Sequence, residues 1–208
     1  MDTLSRLFGS ELRVKMIRLF LFNAGVAFDV EAIEKRMLSR QKLILGELAY
    51  IKRLGLAKEV STQKIVEVRK GKKTVEKRKR VKAFILNPRF EFTDALSEFF
   101  VRTHSLEHKT IIKKIEKTGR IKLVLISGVF TRDLESRLDL FVVGDNVNSA
   151  SIDRIVKGIE ADMGKDIRYA VLTAPDFAYR MSMNDKLVRD VFDYPYQLLV
   201  DKLGVGNA

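Results

Sequence analysis

Apolar residues recur at helical spacing through the first part of the chain. Leu7, Leu12, Met16, Leu19 and Phe20 share one face of a helix expected over Leu4 to Asn23, with Ser10 available as an N-cap and Asn23-Ala24-Gly25 ending it. Asp29 is placed to cap a short helix, Val30 to Met37, that turns Ile33 and Met37 inward. Ser39 is placed to cap a third helix running to about Leu54, with Ile44, Leu48 and Ile51 on its buried face. Gly55 stands where a helix end favours the left-handed conformation. The period then changes. Lys64 to Arg69 alternates into a strand, Gly71 falls in a turn, and Thr74 to Leu86 returns until Asn87-Pro88 stops it.

Two helical segments follow, Asp94 to about Arg102 behind a capping Thr93, and Leu106 to Lys117. Leu96, Phe99 and Phe100 on the first, and Ile111, Ile112 and Ile115 on the second, serve either packing within the chain or a helical dimer interface. Ile121 to Ile126 is a buried β run ending at Ser127-Gly128. Leu138 to Val143 is a second run, broken by Asp139 and stopped by Gly144-Asp145. An acidic residue inside an apolar strand is costly unless it has a partner or a function. Ser149 or Ser151 caps a helix through Met163, which Gly164 ends, and Ile167 to Leu172 forms a third strand. Pro175 opens a helix over Asp176 to Met181, a further helix covers about Asp185 to Phe192, and Gln197 to Val200 is the last strand. The pattern is α+β, divided into residues 1–88, linker helices 89–118, and a mixed sheet with helices over 119–208.

A chain of 208 residues suits one or two domains. It has no cysteine, which removes disulfides and cysteine-based zinc sites and suits a reducing interior. His104 and His108 are four apart but lack further ligands, so no metal site is expected there. The chain opens without the charged and apolar regions of a signal peptide, and no apolar run approaches the ~20 residues of a membrane span. A cytoplasmic protein without membrane contact is the expectation. The net charge of +12 is unevenly spread: residues 119–208 hold 12 basic and 13 acidic residues, while residues 61–82 hold 10 basic and 2 acidic ones. Nine cations crowd residues 69–82: Arg69, Lys70, Lys72, Lys73, Lys77, Arg78, Lys79, Arg80 and Lys82. That density exceeds what edge-strand protection needs and suits contact with a polyanion.

Three helices, then Leu54-Gly55-Leu56 and a basic hairpin, resemble the winged helix-turn-helix domains of small bacterial and archaeal regulators. Glu47-Leu48 through Leu54-Gly55-Leu56 carries their closing pattern, and the likeness covers about residues 4–88. The resemblance implies a transcriptional regulator that binds double-stranded DNA as a homodimer. Recognition helices read bases from their N-terminal end, which assigns Arg40, Gln41 and Lys42 to base edges. Arg69, Lys70, Lys72, Lys73, Lys77 and Arg78 are then assigned to phosphates.

Gly128-Val129-Phe130, followed by Ser136-Arg137-Leu138-Asp139-Leu140, resembles the Gly-Ser … Ser-Asp-x-Asp-Leu signature of minimal nucleotidyltransferase domains over roughly residues 119–203. In that family the glycine lets the backbone approach phosphates and the carboxylates hold metal ions. This chain departs from the pattern: Val129 replaces the serine, Arg137 the first aspartate, and Arg168 falls where a third carboxylate belongs. Asp133 and Glu135 lie in the same turn, but their spacing to Asp139 differs from the family's. Gly128, Arg137 and Asp139 therefore form a remnant nucleotide site, with no catalytic residue, metal or cofactor expected. Nucleotidyl transfer needs cations held by paired carboxylates, and an arginine supplies the wrong sign. The implied role of this region is sensing, dimerisation, or binding a nucleotide or protein ligand. The alternatives are an active nucleotidyltransferase whose winged helix docks its substrate, and an RNA-binding accessory protein.

Overall fold

The computed structural model describes residues 3–70, 73–103, 108–131, 133 and 135–207, with residues 66–70, 73–75, 108–110 and 207 described by their backbone alone. The chain is mixed α+β with two sheets. It divides into two compact units, Met1–His104 with Ala161–Lys165, and Ser105–Glu160 with Asp166–Ala208. Among the described residues, no helix is long and apolar enough to cross a membrane.

The first unit contains α1 (Thr3–Phe8), α2 (Glu11–Phe22), β1 (Phe28–Asp29), α3 (Val30–Met37), α4 (Gln41–Arg53), β2 (Ala57–Lys70), β3 (Lys73–Leu86) and α5 (Thr93–Thr103). The helix expected over Leu4 to Asn23 is two helices. Gly9 takes φ 81° between them, and the Ser10 hydroxyl accepts from the Arg13 amide at 3.3 Å to open α2. Leu4, Phe8, Leu12 and Met16 keep helical spacing across the break, so periodicity alone does not show it, whereas Leu7, expected inward, is 68% exposed. Asp29 caps α3 as expected, its Oδ1 2.7 Å from the Ala32 amide. Arg40, not Ser39, occupies the N-cap of α4 and makes no side-chain cap. Ile44, Leu48 and Ile51 are buried, and Gly55 ends the segment at φ 80°.

The hairpin is longer than its alternation suggests. Its first strand starts at Ala57, opposite Leu86, seven residues before Lys64. Lys58, Glu59, Ser61 and Gln63 are exposed along this stretch, so it lacks the apolar-polar alternation that marks a strand. The short β1 pairs antiparallel with β3 through Phe28↔Phe84 and Asp29↔Ala83, giving the sheet order β1-β3-β2. Met16, Leu19, Phe20, Ile33, Ile44, Leu48, Phe84 and Leu86 share one core. Phe100 is fully buried in it, with Leu96 and Phe99 packed alongside. That half of the candidate dimer surface serves internal packing. Thr93 is the first helical residue of α5 rather than its cap, and its hydroxyl donates to the Phe90 carbonyl at 2.8 Å.

The second unit contains α6 (His108–Glu116), β4 (Arg120–Ile126), β5 (Leu140–Asp145), α7 (Ser149–Met163, of which the residues to Glu160 belong here), β6 (Tyr169–Leu172), α8 (Ala174–Ser182), α9 (Lys186–Asp193) and β7 (Gln197–Asp201). The sheet order is β6-β5-β4-β7, with β5 and β6 parallel and the other pairs antiparallel. Leu123, Leu125, Phe141 and Val143 pack against Phe177, Val188 and Val191. Ile111 and Ile115 are buried where α6 meets β4 and β7, so the other half of the candidate dimer surface is also internal. Asn148 caps α7 in place of Ser149 or Ser151, its Oδ1 accepting from the Ser151 amide at 2.9 Å. Thr173 caps α8, with Pro175 in its first turn, and Asp185 caps α9. Strand β5 begins at Leu140, so Asp139 stands just before the strand and not inside it.

Candidate nucleic-acid surface and remnant nucleotide site

In the second unit, β4 ends at Ile126 and runs through Ser127 into a 3-10 turn, Gly128–Phe130. The Ser127 amide donates to the Asp139 carbonyl at 2.9 Å, and the Ser127 hydroxyl donates to the Leu138 carbonyl, tying the two strand ends together. Gly128 has φ 56°, and a Cβ there would stand 2.0 Å from Asp139 Oδ1. The glycine at one strand end therefore faces the aspartate at the next, as the sequence suggests.

Asp139 is 0% exposed. Its Oδ1 accepts from the Val129 amide at 2.9 Å and from Arg168 Nη2 at 3.0 Å. Its Oδ2 accepts from the Arg168 amide at 2.8 Å and from Arg168 Nε at 3.0 Å. Four donors fill the acceptor sites of the two carboxylate oxygens, and the forked guanidinium also cancels the charge. The Asp139 amide donates back to the Arg168 carbonyl at 2.7 Å. Its hydrogen bonds to Asp139 hold the Arg168 guanidinium above its ordinary pKa, so it stays charged.

Arg137 lies elsewhere, its Nε 3.1 Å from Asp190 Oδ2 on α9. The sequence reading placed Arg168 at a lost carboxylate position but did not see it as the partner of Asp139. The signal was present. An acidic residue flanked by apolar runs demands a cation, and parallel pairing of Leu140 with Tyr169 brings the preceding residues, Asp139 and Arg168, side by side.

These donors do not fit a divalent cation. Asp139 has no acceptor site left, and a guanidinium already holds the cation position. Among the described residues no group of three His, Asp or Glu side chains is arranged to hold a metal. Asp133 accepts from the Glu135 amide at 2.9 Å, which makes it a turn-capping group. His104 and the side chain of His108 lie outside the described residues.

In the first unit, Arg40, Gln41 and Lys42 are all exposed at the start of α4. The outward face continues through Leu45, Gly46, Ala49 and Arg53, also exposed. On the flank of α4, Arg13 Nε lies 2.8 Å from Glu47 Oε2, and its guanidinium stacks 3.8 Å from the centre of the Tyr50 ring. A Cβ added at Gly46 would meet nothing within 4 Å. Gly46→Ala is therefore expected to stabilise the first unit by about 1 kcal/mol, from helix propensity alone. Urea unfolding measures this, and a loss of stability would mean that the outer face of α4 is not free.

On β3, Lys77, Arg78, Lys79, Arg80 and Lys82 are exposed. Strand alternation puts Lys77 and Lys79 on one face of the ribbon and Arg78, Arg80 and Lys82 on the other. Their surroundings differ. Lys82 Nζ lies 3.1 Å from Glu59 Oε1, and Lys52 Nζ 2.7 Å from Glu59 Oε2. Lys64 Nζ lies 2.7 Å from both Asp29 Oδ2 and Glu31 Oε2. Hydrogen bonds from Lys35 and Lys64 draw the Glu31 carboxyl down to about 2. Arg80 Nε donates to the Ser61 hydroxyl, at 2.7 Å. No ion pair joins Lys77, Arg78 or Lys79 to a described side chain. Lys72 and the side chains of Arg69, Lys70 and Lys73 lie outside the described residues, as does Gly71. No protein-family model, no curated protein and no solved structure matches the chain.

Proposed function

We propose that this protein is a DNA-binding transcriptional regulator. Residues 1–88 form a winged helix-turn-helix, and the second unit is a nucleotidyltransferase-like scaffold that transfers no nucleotide and serves sensing, dimerisation or partner binding. The observation that carries the reading is the pairing of an exposed polar helix start, Arg40-Gln41-Lys42, with a hairpin on which Lys77, Arg78 and Lys79 have no ion pair to a described side chain. The element order α2, β1, α3, α4, β2, β3 and the sheet order β1-β3-β2 suit that domain type. A helix with this exposure fits the major groove of B-form DNA, whereas the deep, narrow major groove of RNA excludes it. This favours DNA over an RNA-binding accessory role. The saturated Asp139 carboxylate argues against the active-transferase alternative.

The test is a competition between duplex from the gene's own upstream region and random duplex of equal length. The full chain is expected to prefer the former. Arg40→Ala with Gln41→Ala is expected to lower that preference about tenfold or more, since one good base contact is worth ~1–3 kcal/mol of discrimination. General affinity changes less. Equal loss of specific and non-specific affinity would remove the base-reading role from these residues.

A further inference from the structure

We infer that duplex DNA takes its phosphates on the hairpin cations that the chain's own carboxylates leave unpaired, and not on those they already hold. The inference rests on the DNA-binding reading above and adds which cations take phosphates. Three lysines on or beside the ribbon are already engaged: Lys64, opposite Lys79, by Asp29 and Glu31, and Lys52 and Lys82 by Glu59. By contrast, Lys77, Arg78 and Lys79 have no ion pair among the described side chains, and the partner of Arg80 among them is the neutral Ser61 hydroxyl. The sequence does not show this division, because the basic run is continuous from Lys77 to Arg80 and resumes at Lys82.

The division matters because phosphate contact draws its free energy from release of the counterions condensed on DNA. A cation without a partner neutralises a phosphate and releases its share. An engaged lysine that turns to a phosphate strands the carboxylate it leaves, close to a row of like charges. Asp29 illustrates the cost: it is only 14% exposed, and it caps α3 with the same carboxylate that holds Lys64. The engaged lysines therefore add little to the salt dependence of binding, although each carries a full charge. Lys77 and Lys79 stand on one face and Arg78 and Arg80 on the other, so both faces of the ribbon take part.

The experiment measures the affinity of the full-length chain for duplex DNA across a salt series and compares slopes of log K against log salt. Lys77→Ala with Arg78→Ala and Lys79→Ala should flatten the slope by about two to three units, at ~0.9 per phosphate lost. Lys64→Ala with Lys82→Ala, the same kind of change nearby, should alter it by less than about half a unit. Glu59→Gln frees Lys52 and Lys82 and should steepen the slope by about one unit. Glu34→Gln removes the same charge from a carboxylate with no ion pair to a described side chain and should not. Equal flattening by the unpaired and engaged sets, or equal steepening by the two glutamate variants, would overturn the division while leaving DNA binding in place. An absence of duplex binding by the parent chain would overturn the reading and the division together.

Discussion

Asp139→Ala is expected to cost the second unit about 3–4 kcal/mol, more than any other single truncation near the remnant site. Removing one partner of a buried ion pair typically costs ~3–5 kcal/mol, much of it from the charge left behind. Here the remaining guanidinium is 49% exposed and can rehydrate, which lowers that share. A second share replaces it. The amides of Val129 and Arg168 both lose their acceptor, and an amide left without a partner costs ~1–3 kcal/mol where water does not reach it. Arg168→Ala is expected to cost less, about 2–3 kcal/mol, because those amides still hold the carboxylate and water enters where the guanidinium stood. Arg168→Lys restores the charge without the fork and should recover less than half of the loss. The double variant should fall well short of the sum, since both changes remove one interaction. Urea unfolding followed by tyrosine emission suits the measurement: Tyr169, Tyr179, Tyr194 and Tyr196 lie in the second unit and only Tyr50 in the first. A loss below about 1 kcal/mol for Asp139→Ala would mean that the pair does not hold the strand ends.

The elements most legible in the sequence were those whose signal is local. Asp29 capping α3, Gly55 closing α4 and Asp185 opening α9 are decided within one turn of chain, and residue type is enough to place them. The stretches that escaped sequence reading depend on partners far along the chain. Strand β2 begins at Ala57 because it pairs with Leu86, and its polar exposed residues carry no period to announce that. The break at Gly9 hides behind apolar spacing that holds its phase across two helices. Ser39 and Arg40 are neighbours, and the choice of N-cap between them follows from where α3 ends, at Leu38 with φ 50°.

Around Asp139 the sequence showed which residues depart from the resembled pattern but not how they answer one another. Gly128 opposite Asp139 was expected, because a strand end and the next strand start are close in any antiparallel pair. Arg168 lies 29 residues from Asp139, and only the parallel placement of β6 beside β5 makes them partners. Arg137, which seemed to oppose a metal at Asp139, instead reaches Asp190 on α9. Two arginines thus stand where the resembled family has carboxylates, and each has found a different aspartate. The same distinction governs the hairpin. Charge density is visible in sequence, but which cations are already neutralised depends on Asp29, Glu31 and Glu59, brought in by the β1-β3-β2 sheet and by α3.

The second unit is expected to transfer no nucleotide from any labelled nucleoside triphosphate to RNA or protein acceptors, with magnesium or manganese present. A divalent ion approaching Asp139 meets the Arg168 guanidinium, whose Nε lies 3.0 Å from the carboxylate. At about 4 Å and an effective dielectric near 20, unit charges repel by ~4 kcal/mol, and a divalent ion doubles that. The parent chain should therefore show no manganese binding at this site by calorimetry. Arg137→Asp with Val129→Ser restores two residues of the family pattern but leaves the Arg168 fork in place, and it should also bind no manganese. Adding Arg168→Asp removes the fork and supplies a carboxylate beside Asp139. Without metal, that variant should be the least stable of the series, because two carboxylates then face each other where one was paired. Manganese should restore its stability, by about 2.7 kcal/mol at a hundred times the dissociation constant. That rescue separates a true metal site from a merely damaged fold, and its absence would mean that more than Arg168 keeps the site closed. Transfer by the parent chain that disappears in Asp139→Ala would sink the inactive reading and make the enzyme alternative the working one.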